Sequence, residues 1–432
     1  MWKLTFSPAA GFILNAGQDR REPGLLSPTE RALLRDLARR VAEIAAHPKQ
    51  EEKRELWFRH NSLKPVRPML LVFPEDSWEE LLPVASVTIQ DPFWRQWEWY
   101  LRHLIFRDTH LADDFVIETD LHVPVTVRAS DWGIKAGEIH RTEQANGSYN
   151  WTPPLHEPDD IYKLRPATFD VDLAETHSAI GAVEDALGDI LPVRRHCAPS
   201  SMCLFDVAAR LRGIQQLMLD MYDRPKWLHT LMRFLSDEEL RRRRKLEREG
   251  LLTLNNRNHY VDSGGVAYTH DLPGAGFDGH RVQLCDLWCH SAAQAASEIG
   301  PHQHEEFILE YELPILRTAG LCAYGCCEPY TRKFDMLKRR ISNLRRVSVS
   351  PWCDVQAAAE ALHDNYLFSW KPNPALLVGA FSAERFRNYV RRTLDIARGC
   401  CLEIILKDTI TLEGESQRLY ESIRVTREEI GA

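Results

Sequence analysis

No stretch of this 432-residue chain approaches the roughly 18 consecutive apolar residues that a membrane-spanning helix requires. Basic charge is not in excess either. Fifty-four Lys and Arg against 62 Asp and Glu leave a net charge of −8, with a pI near 6.1. That balance argues against a general nucleic-acid partner, because phosphate binding wants a basic surface. Local basic runs exist, such as "RRRRK" at 241–245, which lies inside "DEELRRRRKLEREG" and reads as a solvated helix face. Ten cysteines are too few for a disulfide scaffold in a chain of this length, and their clustering suggests reduced thiols in a cytoplasmic protein. The opening "MWKLTFSPAAGFILNAGQDRREP" has one lysine before a short apolar segment and no cleavage site ahead of "DRRE", so it is not read as a signal peptide. No internal repeat, low-complexity tract, second domain or glycine-rich dinucleotide fingerprint is read.

What is present begins with ordinary globular proportions, 44% hydrophobic and 27% charged. Ser27-Pro28-Thr29-Glu30 makes a capping box with proline at the first helical position, and "RALLRDLARRVAEIAA" continues it with apolar residues at helical spacing. This predicts an N-terminal helical extension over 1–55, acting as a lid, a plug or an oligomer contact, with a homodimer as the expected assembly. Beyond a charged linker, short apolar strand candidates alternate with helical patterns: 68–74, 113–123, 189–197, 281–288, 321–328, 345–351, 365–372 and 401–408. That makes eight, or nine with the segment around 254–268. Strand–helix alternation with buried strands implies parallel pairing and right-handed crossovers, which favours a closed (β/α)₈ barrel over 56–432. The stretch near 125–155 reads as a polar hairpin insertion.

In such a barrel the reactive groups gather at the C-terminal ends of the strands. The strand-end reading selects Asp286, Trp288 and His290 from one strand and Cys326, Cys327 and Glu328 from the next, with Tyr324 just before them. It adds Trp352 and Asp354, then Lys371, then Asp408, while Glu118, Asp120 and His122 lie on the second strand. Glu328, Asp286, Asp354 and Lys371 are the candidate catalytic groups. Trp288, His290, Tyr324, Trp352 and Asp408 are the candidate substrate contacts. The doublet Cys326-Cys327 beside Glu328 admits three readings: a metal site needing a third or fourth ligand from a neighbouring strand, a redox pair, or small buried residues. Neighbouring side chains on a strand face opposite ways, so both thiols share one face only if the strand has ended. The second doublet, Cys400-Cys401, opens its strand at the other end of the barrel and is assigned to packing.

Several segments together resemble the uroporphyrinogen decarboxylase superfamily from residue 56 onward: "LWFRHNSLKPVRPMLLVFPED", "FDVAARLRGIQQLMLDMYDRP", "YGCCEPY", "LKRRISNLRRVSVSPWCDV", "SWKPNP" and "EIILKDTITLEG". They look most like its branch of corrinoid-dependent methyltransferases and decarboxylase-like proteins. The resemblance implies a (β/α)₈ barrel with a deep polar cleft. It also implies a reaction that moves a methyl group between an O-, N- or S-methyl donor, such as a methoxy aromatic, and a corrinoid held by a partner protein. The alternative it implies is a cofactor-independent decarboxylase or lyase of a small or aromatic acid. The decarboxylases' arginine-rich first strand is here "PMLLVFPED", and "LKDTIT" replaces their closing His-Gly. The methyltransferase branch carries zinc on His-x-Cys and a later cysteine. Cys326 matches the first cysteine, Tyr324 stands at the histidine, and Lys407 and Asp408 stand near the last cysteine. Either the ligand set differs from the family's, with Cys326, Cys327 and Glu328 as the candidate zinc residues, or no zinc binds.

Overall fold

The computed structural model describes residues 23–135, 137–140, 149–199, 201–261 and 263–432. The first 22 residues of the expected extension therefore lie outside the described residues. Helix α1, Pro28–Ala45, starts with the expected capping box: Glu30 N donates to Ser27 Oγ and Ser27 N to the Glu30 carboxylate. Its apolar stripe of Leu34, Leu37, Ala38 and Val41 is buried against helices Pro92–Phe106 and Leu173–Leu187. The expected linker is instead a second helix, α2, Pro48–Asn61. Its sequence is so charged that no apolar periodicity announces it. Trp57, His60 and Asn61 at its C-terminal end are nonetheless buried.

Eight strand segments run parallel. In chain order they are Met69–Val72 (β1), Leu121–Pro124 (β2), Val193–His196 continued by Ser201–Met202 (β3), Trp288–Ser291 (β4), Leu321–Tyr324 (β5), Leu344–Val349 (β6), Leu367–Trp370 (β7) and Cys401–Leu406 (β8). Seven join in one sheet of order β1-β8-β7-β6-β5-β4-β3, and the first half of β3 pairs with β2. Between β1 and β2 no ladder forms among the described residues. Instead the Asp113 and Asp114 carboxylates accept from Val72 N and Leu70 N, and Asp114 N donates to Leu70 O. This is an α/β fold around a parallel sheet, compatible with a barrel. Residues Gly137–His140 and Tyr149–Thr152 pair antiparallel as the expected polar hairpin, whose residues 141–148 lie outside the described ones. Among the described residues no helix is long and apolar enough to cross a membrane.

Two sequence readings shift. The stretch 281–287 is loop and a 3₁₀ turn, and the strand begins only at Trp288. The described residues of 254–268 form no strand of the parallel sheet but a hairpin, with Tyr260 bridged antiparallel to Val266 and Val261 N bonded to Gly265 O. The hairpin rests on the ion pair of Arg346 (β6) and Glu403 (β8), Nε to Oε1 2.9 Å, which is fully buried. A Cβ on Gly264 would lie 2.3 Å from Arg346 Cδ, and one on Gly265 would lie 2.3 Å from Glu403 Oε2, so only glycine permits this approach. His60 and Asn61 of α2 hold the same pair from beneath, His60 Nε2 at 3.2 Å from Glu403 and Asn61 Oδ1 accepting from Arg346 at 2.8 Å. Burial opposes the Glu403 charge, but Arg346 and His60 outweigh it and bring its pKa to about 2. The stretch "GAGFDG" at 274–279 has dinucleotide spacing, yet no strand precedes it and no helix follows, so it is no fingerprint.

Candidate active site

Gly325 turns the chain at the end of β5 with φ +100, a conformation L side chains resist, and a Cβ there would sit 2.5 Å from the Tyr330 ring. The strand having ended, Cys326 and Cys327 both turn toward the C-terminal ends of β7 and β8, their sulfurs 3.4 Å apart as free thiols. Lys371, just past β7, is 1% exposed and donates to Cys326 O at 3.2 Å and to Ser348 Oγ. Lys407 and Asp408 follow β8. Lys407 Nζ lies 3.4 Å from Asp408 and 3.2 Å from Glu75, while Cys327 Sγ lies 3.7 Å from Asp408 Oδ2. The Ser263 hydroxyl of the hairpin, which has no other partner, approaches Cys326.

These contacts set the charge. The Cys327 thiol proton directed at Cys326, with Lys371 and Lys407 behind it, outweighs burial and lowers the Cys326 pKa to about 6. Cys327 is pushed up, first by holding that proton for Cys326, then by burial and by Asp408. The doublet thus carries one negative charge and not two. Burial lowers the Lys371 pKa, partly offset by the Cys326 thiolate. Burial also opposes the Lys407 charge, but Tyr260, Glu75 and Asp408 more than restore it. The Glu75 carboxyl is raised, by burial first.

Of the predicted residues, the fold therefore brings together Cys326, Cys327, Lys371 and Asp408. It uses the others differently. Asp286 precedes β4 and accepts from Gly274 N and Gln283 N, at the opposite end of the strands from the thiols. Glu328 is fully buried and braces the loop, accepting from Ala293 N at 2.7 Å, Cys326 N at 3.1 Å and the Tyr330 hydroxyl. Asp354 caps helix Val355–Leu362 through Gln356 N and Ala357 N. Trp288 is buried beneath Arg346, whose guanidinium sits 5.1 Å from the ring centroid. Tyr324 faces away from the mouth, its hydroxyl donating to Glu312 at 2.6 Å and lying 2.9 Å from His304 Nε2. Trp352 is 67% exposed. His290 points inward under the mouth, Nε2 donating to Gly325 O at 3.0 Å and Nδ1 3.1 Å from Ser201 Oγ.

The expected zinc set is not assembled. Glu328 has its oxygens committed to loop donors. Among the described residues, no third Cys, His, Asp or Glu joins the two thiols within ligand distance of both. The one group that does gather is His122, His196 and His259, whose ring nitrogens lie within 4.8 Å of one another. Sequence reading had placed His122 on its strand and overlooked the other two. Glu75 and Ser263 were likewise absent from the predicted site, and Lys407 was placed at the last strand end beside Asp408 without a role of its own.

No protein-family model matches the chain, and no curated protein matches it. Among solved structures it is similar to a methyltransferase from Methanosarcina mazei, at 11% identity and a TM-score of 0.46, over 88% of this chain and 99% of that one. Similarity at that level carries no activity across.

Proposed function

We propose that the chain is a methyltransferase on a closed (β/α)₈ barrel of the uroporphyrinogen decarboxylase type. It moves a methyl group between a small O-, N- or S-methyl donor, a methoxy aromatic among them, and a corrinoid carried by a partner protein. The observation that carries this reading is the cluster of proton-holding groups, Lys371, Lys407 and Glu75, packed around the Cys326 thiolate at the strand ends. The corrinoid supplies the methyl-accepting centre when its carrier docks at the mouth. As the methyl group leaves, the donor heteroatom keeps the bonding electron pair and needs a proton or a positive charge. Lys371, whose pKa burial lowers, is suited to give that proton. Lys407, kept charged by Glu75 and Asp408, is suited to hold the developing anion. Cys326 O and Ser348 Oγ hold the Lys371 ammonium, and Glu75 and Asp408 hold that of Lys407.

The test is methyl transfer from a panel of methyl donors to a reduced corrinoid, read from the corrinoid's visible spectrum. Lys371→Met is expected to lower the rate about 100-fold, the usual cost of removing one group that stabilises developing charge. No transfer from any donor would overturn the reading. Two ammonium groups at one mouth also suit a substrate carboxylate, which favours a decarboxylase or lyase as the second reading. Release of labelled CO₂ from aromatic acids without corrinoid would select it.

A further inference from the structure

We propose that His122, His196 and His259 form a binding site for one divalent transition-metal ion, with zinc the best fit and the fourth coordination position left for water or a ligand heteroatom. The sequence builds the site from three separate segments. In the β2–β3 ladder His122 pairs with Arg194 and Pro124 with His196. Side chains opposite one another share a face, and residues two apart return to it, so His122 and His196 project on the same side of the sheet. His259, in the arm of the 254–268 hairpin, completes the group. The three rings stand 5.2–5.6 Å apart by centroid, with His196 and His259 stacked at 20°.

Two further observations point to a ligand. His259 is 6% exposed, and among the described residues neither of its ring nitrogens has a partner; His122 Nδ1 is also buried without one. Buried imidazole nitrogens almost always find a hydrogen bond, so a His259 ring with neither nitrogen satisfied, beside an unsatisfied His122 Nδ1, is unusual unless something sits among the three rings. Desolvation also keeps all three rings in the neutral, metal-binding form: burial lowers His122, brings His196 to about 3 and holds His259 well below the usual range.

The donor set selects the ion class. Three imidazoles with no carboxylate among them suit zinc, copper or nickel and not calcium or magnesium. Tetrahedral zinc with nitrogen ligands at about 2.0–2.1 Å holds those nitrogens roughly 3.3 Å apart, a modest contraction from the separation seen here. The adjacent thiol is not a fourth ligand. Cys197 follows His196 on the chain and so faces the other way, packed with Val125, Leu246 and Leu251. Three histidines with an open position is a catalytic rather than a closed structural arrangement. Asp120, two residues before His122 in the chain, is tied instead to Arg194 and Arg257, each at 3.4 Å. The proposal stands apart from methyl transfer, since it concerns occupancy and not turnover.

The experiment is metal analysis of the full chain purified without chelators, followed by removal of metal and titration with Co(II). The expected result is one equivalent of bound metal and the visible absorption of tetrahedral cobalt. Both should be lost, with binding weakened at least 100-fold, in His259→Ala and in His122→Gln, the second being the least buried of the three positions. The Cys326→Ala, Cys327→Ala double variant should keep its metal. Wild-type protein that takes up no zinc or cobalt overturns the proposal, as does metal that survives both histidine substitutions or departs with the thiols.

Discussion

Two pairs of adjacent cysteines lie at the ends of this parallel sheet, and they behave differently. Cys326-Cys327 follows the end of β5; Cys400-Cys401 stands at the start of β8. At the first, the sulfurs meet at 3.4 Å with two lysines behind them, and Cys326 titrates at about 6. At the second, Cys400 and Cys401 point their thiols at backbone carbonyls, Ala359 O and Asp364 O. Burial followed by the Asp364 charge raises both, Cys401 to about 11. The residue types are identical. What differs is which end of a parallel strand they occupy, and so whether lysines or carbonyls and a carboxylate surround them.

The largest expected contrast is between the doublets themselves. Followed by ultraviolet thiolate absorbance, wild-type protein should show one thiol titrating near pH 6, and Cys326→Ser should abolish that step. Cys400→Ser with Cys401→Ser should leave it untouched. A pH 6 step that persists in Cys326→Ser would end the distinction. Next in size is Cys327→Ala, which removes the leading cause of the shift and should carry Cys326 most of the way back to the ordinary thiol value of about 8.5.

The same variant tests stability. Cys326 is depressed, so its contribution is present above the unfolded thiol value and lost as pH falls through about 6. Cys327 is raised, so its contribution is present below the unfolded value and lost as pH rises above it. Together they give stability that peaks near the unfolded thiol value of about 8.5. Urea midpoints measured across pH should show that maximum in wild type and a flatter profile in Cys327→Ala.

Much of this was legible in the sequence, because strand-end position follows from short apolar runs bounded by Gly and Pro. "LCAYGCCEP" and "LFSWKPNP" stop where their strands stop, which brought Cys326, Cys327, Lys371 and Asp408 to one mouth. Asp286 was misplaced because "RVQLCDLW" reads as a strand. Its Leu284 and Leu287 instead pack with Leu251 and Leu252 in a small separate cluster, and the ladder starts one residue later. The histidine group was illegible for a different reason. His196 in "VRRHC" and His259 in "NNRNHY" look like isolated residues, and only the β2–β3 register and the inserted hairpin bring them to His122. Non-local register of that kind leaves no mark on a single sequence. Glu328 shows the converse: a carboxylate beside two thiols suggests a ligand, yet two donors in its own loop and Ala293 N after β4 claim it first.

The smallest effect sharpens the comparison most, because it isolates the hairpin. Among the described residues, Ser263 is the hairpin group that reaches the thiolate, and no hairpin group acts on Cys400-Cys401. Its hydroxyl is the last-ranked of the causes that lower Cys326, behind Cys327, Lys371 and Lys407. Replacing it by alanine removes one neutral donor and leaves both lysines in place, so the Cys326 midpoint should rise by only about half a pH unit. Ser263 sits at φ 63, held there by Gly264 and Gly265 against the Arg346–Glu403 pair, so the substitution keeps the backbone strain it already had. A shift as large as that of Cys327→Ala would mean that the hairpin, and not the neighbouring thiol, sets the charge at this mouth. The Cys326 midpoint would then depend on how firmly the hairpin is seated, and Gly265→Ala, which forces a Cβ against Glu403, should move it as far without touching the thiol at all.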